Sequence, residues 1–151
     1  MKVGVAFDHR GVKLRERVLD ELTALGHEAV DLGTDDASVR IDYPDKAREL
    51  GEAIRAGEAE RGVLVCGSGV GASVAASKLD GIRAAVCHDP YSAHQGVEHD
   101  DMNVLCLGSE VVGAELAADL VRIFLGATFG GGERYMERLR KIEELERKTY
   151  A

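Results

Sequence analysis

Apolar residues fall on alternate positions at Val3, Val5 and Phe7, then switch to helical spacing at Val18, Leu19, Leu22 and Leu25 before Gly26. The change of period predicts a strand followed by a helix. Residues 28–32 read as a second short strand, and Tyr43-Pro44 opens a helix to about Ala56 that carries Ala47, Leu50 and Ile54 on one face. Residues 62–66 are a continuous apolar run, the pattern of a strand covered on both faces. The small-residue stretch 70–79 (VGASVAASKL) predicts a helix lying close on that strand. Segments 82–86, 91–98, 104–107 and 111–125 then supply strand, helix, strand and helix, and a charged helix over about 134–148 closes the chain.

Strands alternating with helices predict a three-layer α-β-α fold: a doubly wound, five-stranded parallel sheet of the flavodoxin or Rossmann-like kind with an extra C-terminal helix. The expected strand order is 2-1-3-4-5. In that order the chain reverses direction between strands 1 and 3, so the loops after them flank one crevice at the carboxyl edge, where ligands of such sheets bind. Those loops are Asp8-His9-Arg10 and Gly67-Ser68-Gly69.

The 151 residues fit one domain, 1–151, with no low-complexity tract or linker. The opening apolar run is too short for a signal peptide or a membrane span and meets Asp8, His9 and Arg10 at once, so a soluble, cytoplasmic protein is expected. A formal net charge of −8 disfavours nucleic acid and anionic membranes as partners. Any phosphate must then be held by local positive groups. Three cysteines are an odd count that argues for reduced thiols, with Cys87 and Cys106 inside apolar runs as core residues.

The third thiol is different, because Cys66 opens the stretch CGSGVG at the end of the third strand. That stretch matches neither the P-loop nor the G-x-G-x-x-G signature. It keeps what both share: a tight turn whose backbone N–H groups feed a helix N-terminus, a good place for an oxyanion or phosphate. Cys66 is either a small core residue or a thiol activated by the following helix and able to act as base or nucleophile. Ser68 either caps the helix or donates to a developing oxyanion. Asp8 either hydrogen-bonds its own turn or works beside His9 in the crevice, and Arg10 reads as solvated.

His99 precedes strand 5 and therefore lies at the amino edge, away from the crevice. If it is catalytic, a second subunit must bring it, which predicts a homodimer with shared sites; otherwise it is a surface histidine among Glu98, Asp100 and Asp101. His88, His94 and His99 are poorly spaced for a metal, and no H-E-x-x-H or C-x-x-C pair occurs, so no metal is expected. Arg134 and Arg138 share a helix face suited to a phosphate, though Glu133 and Glu137 beside them favour a solvated, salt-bridged helix on spacing alone.

Taken as an ordered set, Asp8-His9, Asp42-Tyr43-Pro44, CGSGVG, SKLDGIRAAVC (77–87), PYSA (90–93), His99 with Asn103-Val104-Leu105, and GGGERYMER (130–138) resemble the type B ribose-5-phosphate isomerases, a group that includes galactose-6-phosphate isomerases. The resemblance runs almost end to end. It implies that Cys66 shuttles a proton between C1 and C2 of a sugar phosphate, with Ser68 and the amides of residues 67–71, Gly67, Gly69 and Gly71 among them, stabilising the enediolate oxygens. It implies that His99, helped by Asp8, opens the furanose ring, that Tyr43 lines the sugar site, and that His9, Arg134 and Arg138 hold the phosphate. The same resemblance implies homodimers whose sites combine both subunits, with pairing into tetramers left open. Proton transfer next to a carbonyl needs a base and oxyanion donors but no metal or other cofactor.

The chain departs from the pattern at Asp100, where many members have Asn, at Glu110, where several have Arg as a phosphate contact, and at Ser77, where Asn is common. Its GGGERYMER segment is also one residue longer than in some members. Asp100 stands where it bears on which sugar hydroxyls are held. The expected reaction is therefore interconversion of ribose 5-phosphate and ribulose 5-phosphate, with a galactose or allose 6-phosphate or a tetrulose phosphate as alternatives. The remote alternatives are a nucleotide-binding module using Asp89 on a ribose hydroxyl, and a phospho-receiver domain, whose aspartate should stand where Cys66 does.

Overall fold

The computed structural model describes residues 1–148. Five parallel strands, β1 (Lys2–Phe7), β2 (Glu28–Asp31), β3 (Arg61–Cys66), β4 (Ala84–Val86) and β5 (Val104–Gly108), form one sheet. The helices are α1 (Val12–Ala24), α2 (Tyr43–Arg55), α3 (Val70–Ala76), α4 (Pro90–Asp100), α5 (Ala114–Gly126) and α6 (Glu133–Arg147). Their starts and stops follow local chemistry. Gly26, at a φ of 75°, ends α1 in a Schellman turn, with Gly26 N–H donating to Thr23 O and His27 N–H to Leu22 O. Asp89 starts α4 by accepting from Ser92 N–H at 2.7 Å.

The strand order is β2-β1-β3-β5-β4, not the expected 2-1-3-4-5. The last two strands are exchanged. The reason is burial: all five residues of β5 (VLCLG) are buried, whereas the three of β4 (AAV) are only partly covered. The longer, more apolar strand takes the interior position and the short one takes the edge. The exchange sets β5 directly beside β3, with Cys66 in register with Gly108.

Alternate residues of the central strands serve two cores. Val3, Val5, Phe7, Val63, Val65, Leu105 and Leu107 pack with α1, α4 and α5, which bring Leu14, Leu22, Ala93, Val97, Leu120 and Phe124. Each such large side chain, fully removed from water, contributes about 1.5–3 kcal/mol. On the other face Ala6, Leu64, Cys66 and Cys106 meet Leu50 of α2 and Ala72 and Ala76 of α3. Several sheet positions on this face are small, Gly4, Ala6 and Gly62 among them, which lets α2 lie close. A Cβ on Gly62 would stand 2.8 Å from Leu50 Cδ2, so only glycine lets α2 come so near. No helix among the described residues is long and apolar enough to cross a membrane.

Candidate active site

Three loops meet at the carboxyl edge of the sheet, and backbone hydrogen bonds lock them together. Ser109 N–H donates to Cys66 O and Glu110 N–H to Gly67 O, both at 2.9 Å, which ties the loop after β5 to the turn after β3. Ser109 Oγ donates to Arg10 O at 2.7 Å and joins the loop after β1. The approach is close enough to require glycine on both sides. A Cβ on Gly108 would lie 2.6 Å from the Ser68 carbonyl, and Gly69, at a φ of 78°, would press on the Leu107 carbonyl carbon at 2.9 Å.

Between these loops and the start of α2 lies a cavity of about 260 Å³. Asp8, His9, Tyr43, Cys66, Gly67, Ser68 and Gly71 line it, with Arg10, Arg40, Ile41 and Asp42 completing the wall. Seven of the residues singled out in the sequence are thus brought together. Gly69 is not on the wall; it lies beneath the turn and donates its N–H to Cys66 Sγ at 3.1 Å. The Cys66 sulfur is almost wholly buried and is oriented by that bond. Burial pushes the other two thiols up, Cys87 to about 11, so they remain protonated core groups.

The neighbours of Cys66 are individually anchored. Ser68 Oγ accepts from Val70 N–H at 3.2 Å, which leaves its own proton to donate. Asp8 is 4% exposed, and its Oδ1 accepts the N–H groups of Arg10 (2.9 Å) and Gly11 (2.8 Å), so the turn-forming role read for it is present. His9 Nδ1 stands 3.2 Å from both the amide nitrogen and the carbonyl oxygen of Ile41, leaving Nε2 without a partner among the described residues. Tyr43 lays its ring against Gly71, where a Cβ would meet Cζ at 2.6 Å.

Four of the singled-out residues stand elsewhere. His99 is on the last turn of α4, which leads to the amino end of β5, while Cys66 pairs with the carboxyl end of that strand. Five strand residues separate the two edges by roughly 15 Å. His99 instead stacks on Tyr135 of α6, with ring centroids 4.7 Å apart and planes at 19°. Gly130, bonded through its N–H to Glu98 O at 2.9 Å, closes over the same tyrosine, since a Cβ there would come within 3.2 Å of the ring. Arg134 and Arg138 flank that tyrosine on the exposed start of α6. The ion pairs of this helix run from Glu137 to Arg140 and Lys141 and from Glu143 to Arg147, so Arg134 and Arg138 are unpaired among the described residues. Asp100 faces the groove between α4, β4 and α6 with Met102 and Ile142.

His88 is a site neighbour that sequence reasoning weighed only as a metal ligand. It follows β4, and its Nε2 accepts Gly108 N–H at 2.9 Å, bracing the loop after β5 from the far side. Burial holds it below the ordinary histidine range, as suits a neutral acceptor. The available signal was its place just past a strand at the carboxyl edge.

A sequence profile described as Ribose/Galactose Isomerase matches residues 3–142. The chain belongs to the ribose/galactose isomerase family. Ribose-5-phosphate isomerase B of Escherichia coli is 44% identical over 147 residues that cover 97% of each chain. D-erythrulose-4-phosphate isomerase of Pectobacterium atrosepticum is 36% identical over 132 residues, 87% of each chain. The solved structure of Clostridium thermocellum ribose-5-phosphate isomerase B superimposes with a TM-score of 0.93 at 45% identity, covering 97% of this chain and 98% of that one. Membership and shared fold make this member of the ribose/galactose isomerase family a sugar-phosphate isomerase.

Proposed function

We propose that the enzyme interconverts ribose 5-phosphate and ribulose 5-phosphate through an enediolate, with Cys66 as the base. The observation that carries this reading is the convergence of a buried, oriented thiol, a hydroxyl with a free proton and a glycine turn on one small cavity. The Cys66 thiolate removes the C2 proton of the open-chain aldose, and the electron pair moves through the C1–C2 bond onto O1. Ser68 and the turn amides meet that oxyanion. Return of the proton from sulfur to C1, with transfer of the O2 proton to O1, gives the ketose.

Ring opening falls to His99 of the partner subunit, and the phosphate to His9 together with Arg134 and Arg138 of the partner subunit. Two observations support a homodimer with shared sites. His99, Arg134 and Arg138 are gathered on one exposed corner that their own cavity does not reach. Beside the Cys66 turn, Val70 and Val74 of α3 are 56% and 57% exposed one helical turn apart, and Val111 is 59% exposed. Such an apolar patch next to an open cavity suits burial against a second copy.

The family also acts on other sugars, and the relative named for erythrulose 4-phosphate keeps a tetrulose phosphate as the second reading. The test is turnover without added metal on ribose 5-phosphate, allose 6-phosphate, galactose 6-phosphate and erythrulose 4-phosphate, with parent chain and Cys66→Ala. The reading expects at least tenfold preference for ribose 5-phosphate, about 1.4 kcal/mol in the barrier, and no measurable rate for the variant with its fold intact. A near-normal rate for Cys66→Ala removes the thiol from the mechanism. Preference for another sugar keeps the chemistry and changes the substrate.

A further inference from the structure

The side chain that packs on the Cys66 turn comes from another loop. The Arg10 guanidinium lies so close over Gly67 that a Cβ on that glycine would meet its Cζ at 2.4 Å and Nη1 at 2.5 Å. Its main chain is fixed at both polar groups, N–H to Asp8 Oδ1 at 2.9 Å and O from Ser109 Oγ at 2.7 Å. Its Nη2 stands 3.9 Å from Glu110 Oε1, the same oxygen to which Lys13 Nζ donates at 2.6 Å. Lys13, and then Arg10, hold the Glu110 carboxyl below the usual carboxylate range, so it is ionised at neutral pH.

In this cluster two cations, Arg10 and Lys13, share the Glu110 carboxylate, on a chain whose net charge is −8. The other lining arginine of the cavity is Arg40, in the segment that leads into α2. Arg10 is therefore the cation beside the thiol turn. A guanidinium presents paired N–H groups that match two phosphate oxygens at once, and a neighbouring carboxylate restricts where the fork points. The loop after β5 presents a carboxylate here, Glu110, so the cation at this wall comes from the loop after β1.

We infer that Arg10 is a substrate-positioning residue of this enzyme, gripping the phosphate of the sugar from the subunit that carries Cys66, with Glu110 and Lys13 aiming its guanidinium. The inference rests on the sugar-phosphate reading of the cavity. It assigns to Arg10 the contact that Glu110 cannot make.

The test compares the parent chain with Arg10→Ala, Arg10→Lys and Glu110→Gln in steady-state kinetics on ribose 5-phosphate, and in calorimetric binding of inorganic phosphate, which needs no turnover. Arg10→Ala should raise KM and weaken inorganic phosphate binding at least tenfold while kcat falls less. Arg10→Lys should recover only part, since an ammonium is a point charge without the fork. Glu110→Gln should shift KM several-fold in the parent and have no further effect on top of Arg10→Ala, the non-additivity expected of residues acting through one another. Because Arg10 is about half exposed, the variants should melt with the parent, and Arg10→Lys keeps the test open if the alanine variant does not fold. Equal phosphate affinity and KM in parent and Arg10→Ala would overturn the inference. A parent that binds phosphate through Arg10 and isomerises no sugar phosphate would instead overturn the isomerase reading alone.

Discussion

The two groups of candidate residues are built in opposite ways. Around Cys66, three loops are joined by backbone bonds and the Ser109 hydroxyl, glycines stand where no Cβ would fit, and the wall residues are fixed by named partners. Around His99 the support is one aromatic stack from α6, a helix that has no buried residue, and one backbone bond from Gly130 in the loop before it. A preorganised group beside a lightly held one is the contrast expected if, as proposed, the site is completed by a second subunit. On that proposal the first group is finished on folding and the second only on association.

The largest break in this comparison should come from Gly108→Ala. Its Cβ would press on the Ser68 carbonyl, so the turn must shift, and a displacement of that kind costs on the order of 100-fold in rate. Overpacking should also lower stability by about 1–3 kcal/mol, read by thermal or denaturant unfolding. Gly126, with nothing within 4 Å of a Cβ, is the control: Gly126→Ala should stay within about 0.5 kcal/mol and keep its rate.

A smaller effect should separate the His99 half. Tyr135→Ala removes the stack and should lower turnover of ribose 5-phosphate by up to about tenfold, the upper worth of an aromatic pair, while Tyr135→Phe keeps the parent rate. Stability should barely move, because this helix contributes little to the core. Loss of fold in Tyr135→Ala would contradict the picture of a lightly held half.

The smallest effect concerns pH. His88 is held below its ordinary value of 6.5 by burial, so the unfolded chain binds more protons between the lowered value and 6.5. The stability this group contributes is complete above about pH 6.5 and is lost as pH falls through the lowered folded value. His88→Gln, whose amide keeps an acceptor for Gly108 N–H, should flatten the change in melting temperature between about pH 7.5 and about pH 5.5. An unchanged pH profile would assign that dependence to another group.

Much of this was legible in the amino-acid pattern, and the misses have physical causes. Element type followed periodicity, and the crevice followed from strands 1 and 3 being neighbours. The strand order was misread although VLCLG against AAV carried the answer, because a common topology was preferred over the burial each strand demands. Asp89 reads as an N-cap in the structure, where one alternative wanted it on a ribose. The stack of His99 on Tyr135 and the packing of Arg10 on Gly67 join residues far apart in sequence, with no periodic signal to link them. Arg10 was read as solvated for that reason. Its ion pair with Glu110 exists only once β5 lies beside β3.

The central claim is that Cys66 of one subunit works with His99 of the other, and mixing two inactive variants tests it most directly. Cys66→Ala and His99→Asn, co-refolded in equal amounts, form a mixed dimer in which one of the two sites has both native residues. With random pairing in a two-fold dimer, about a quarter of the parent activity should return. No recovery, with mixed dimers demonstrated, would mean that each site is complete within one chain and would contradict the account.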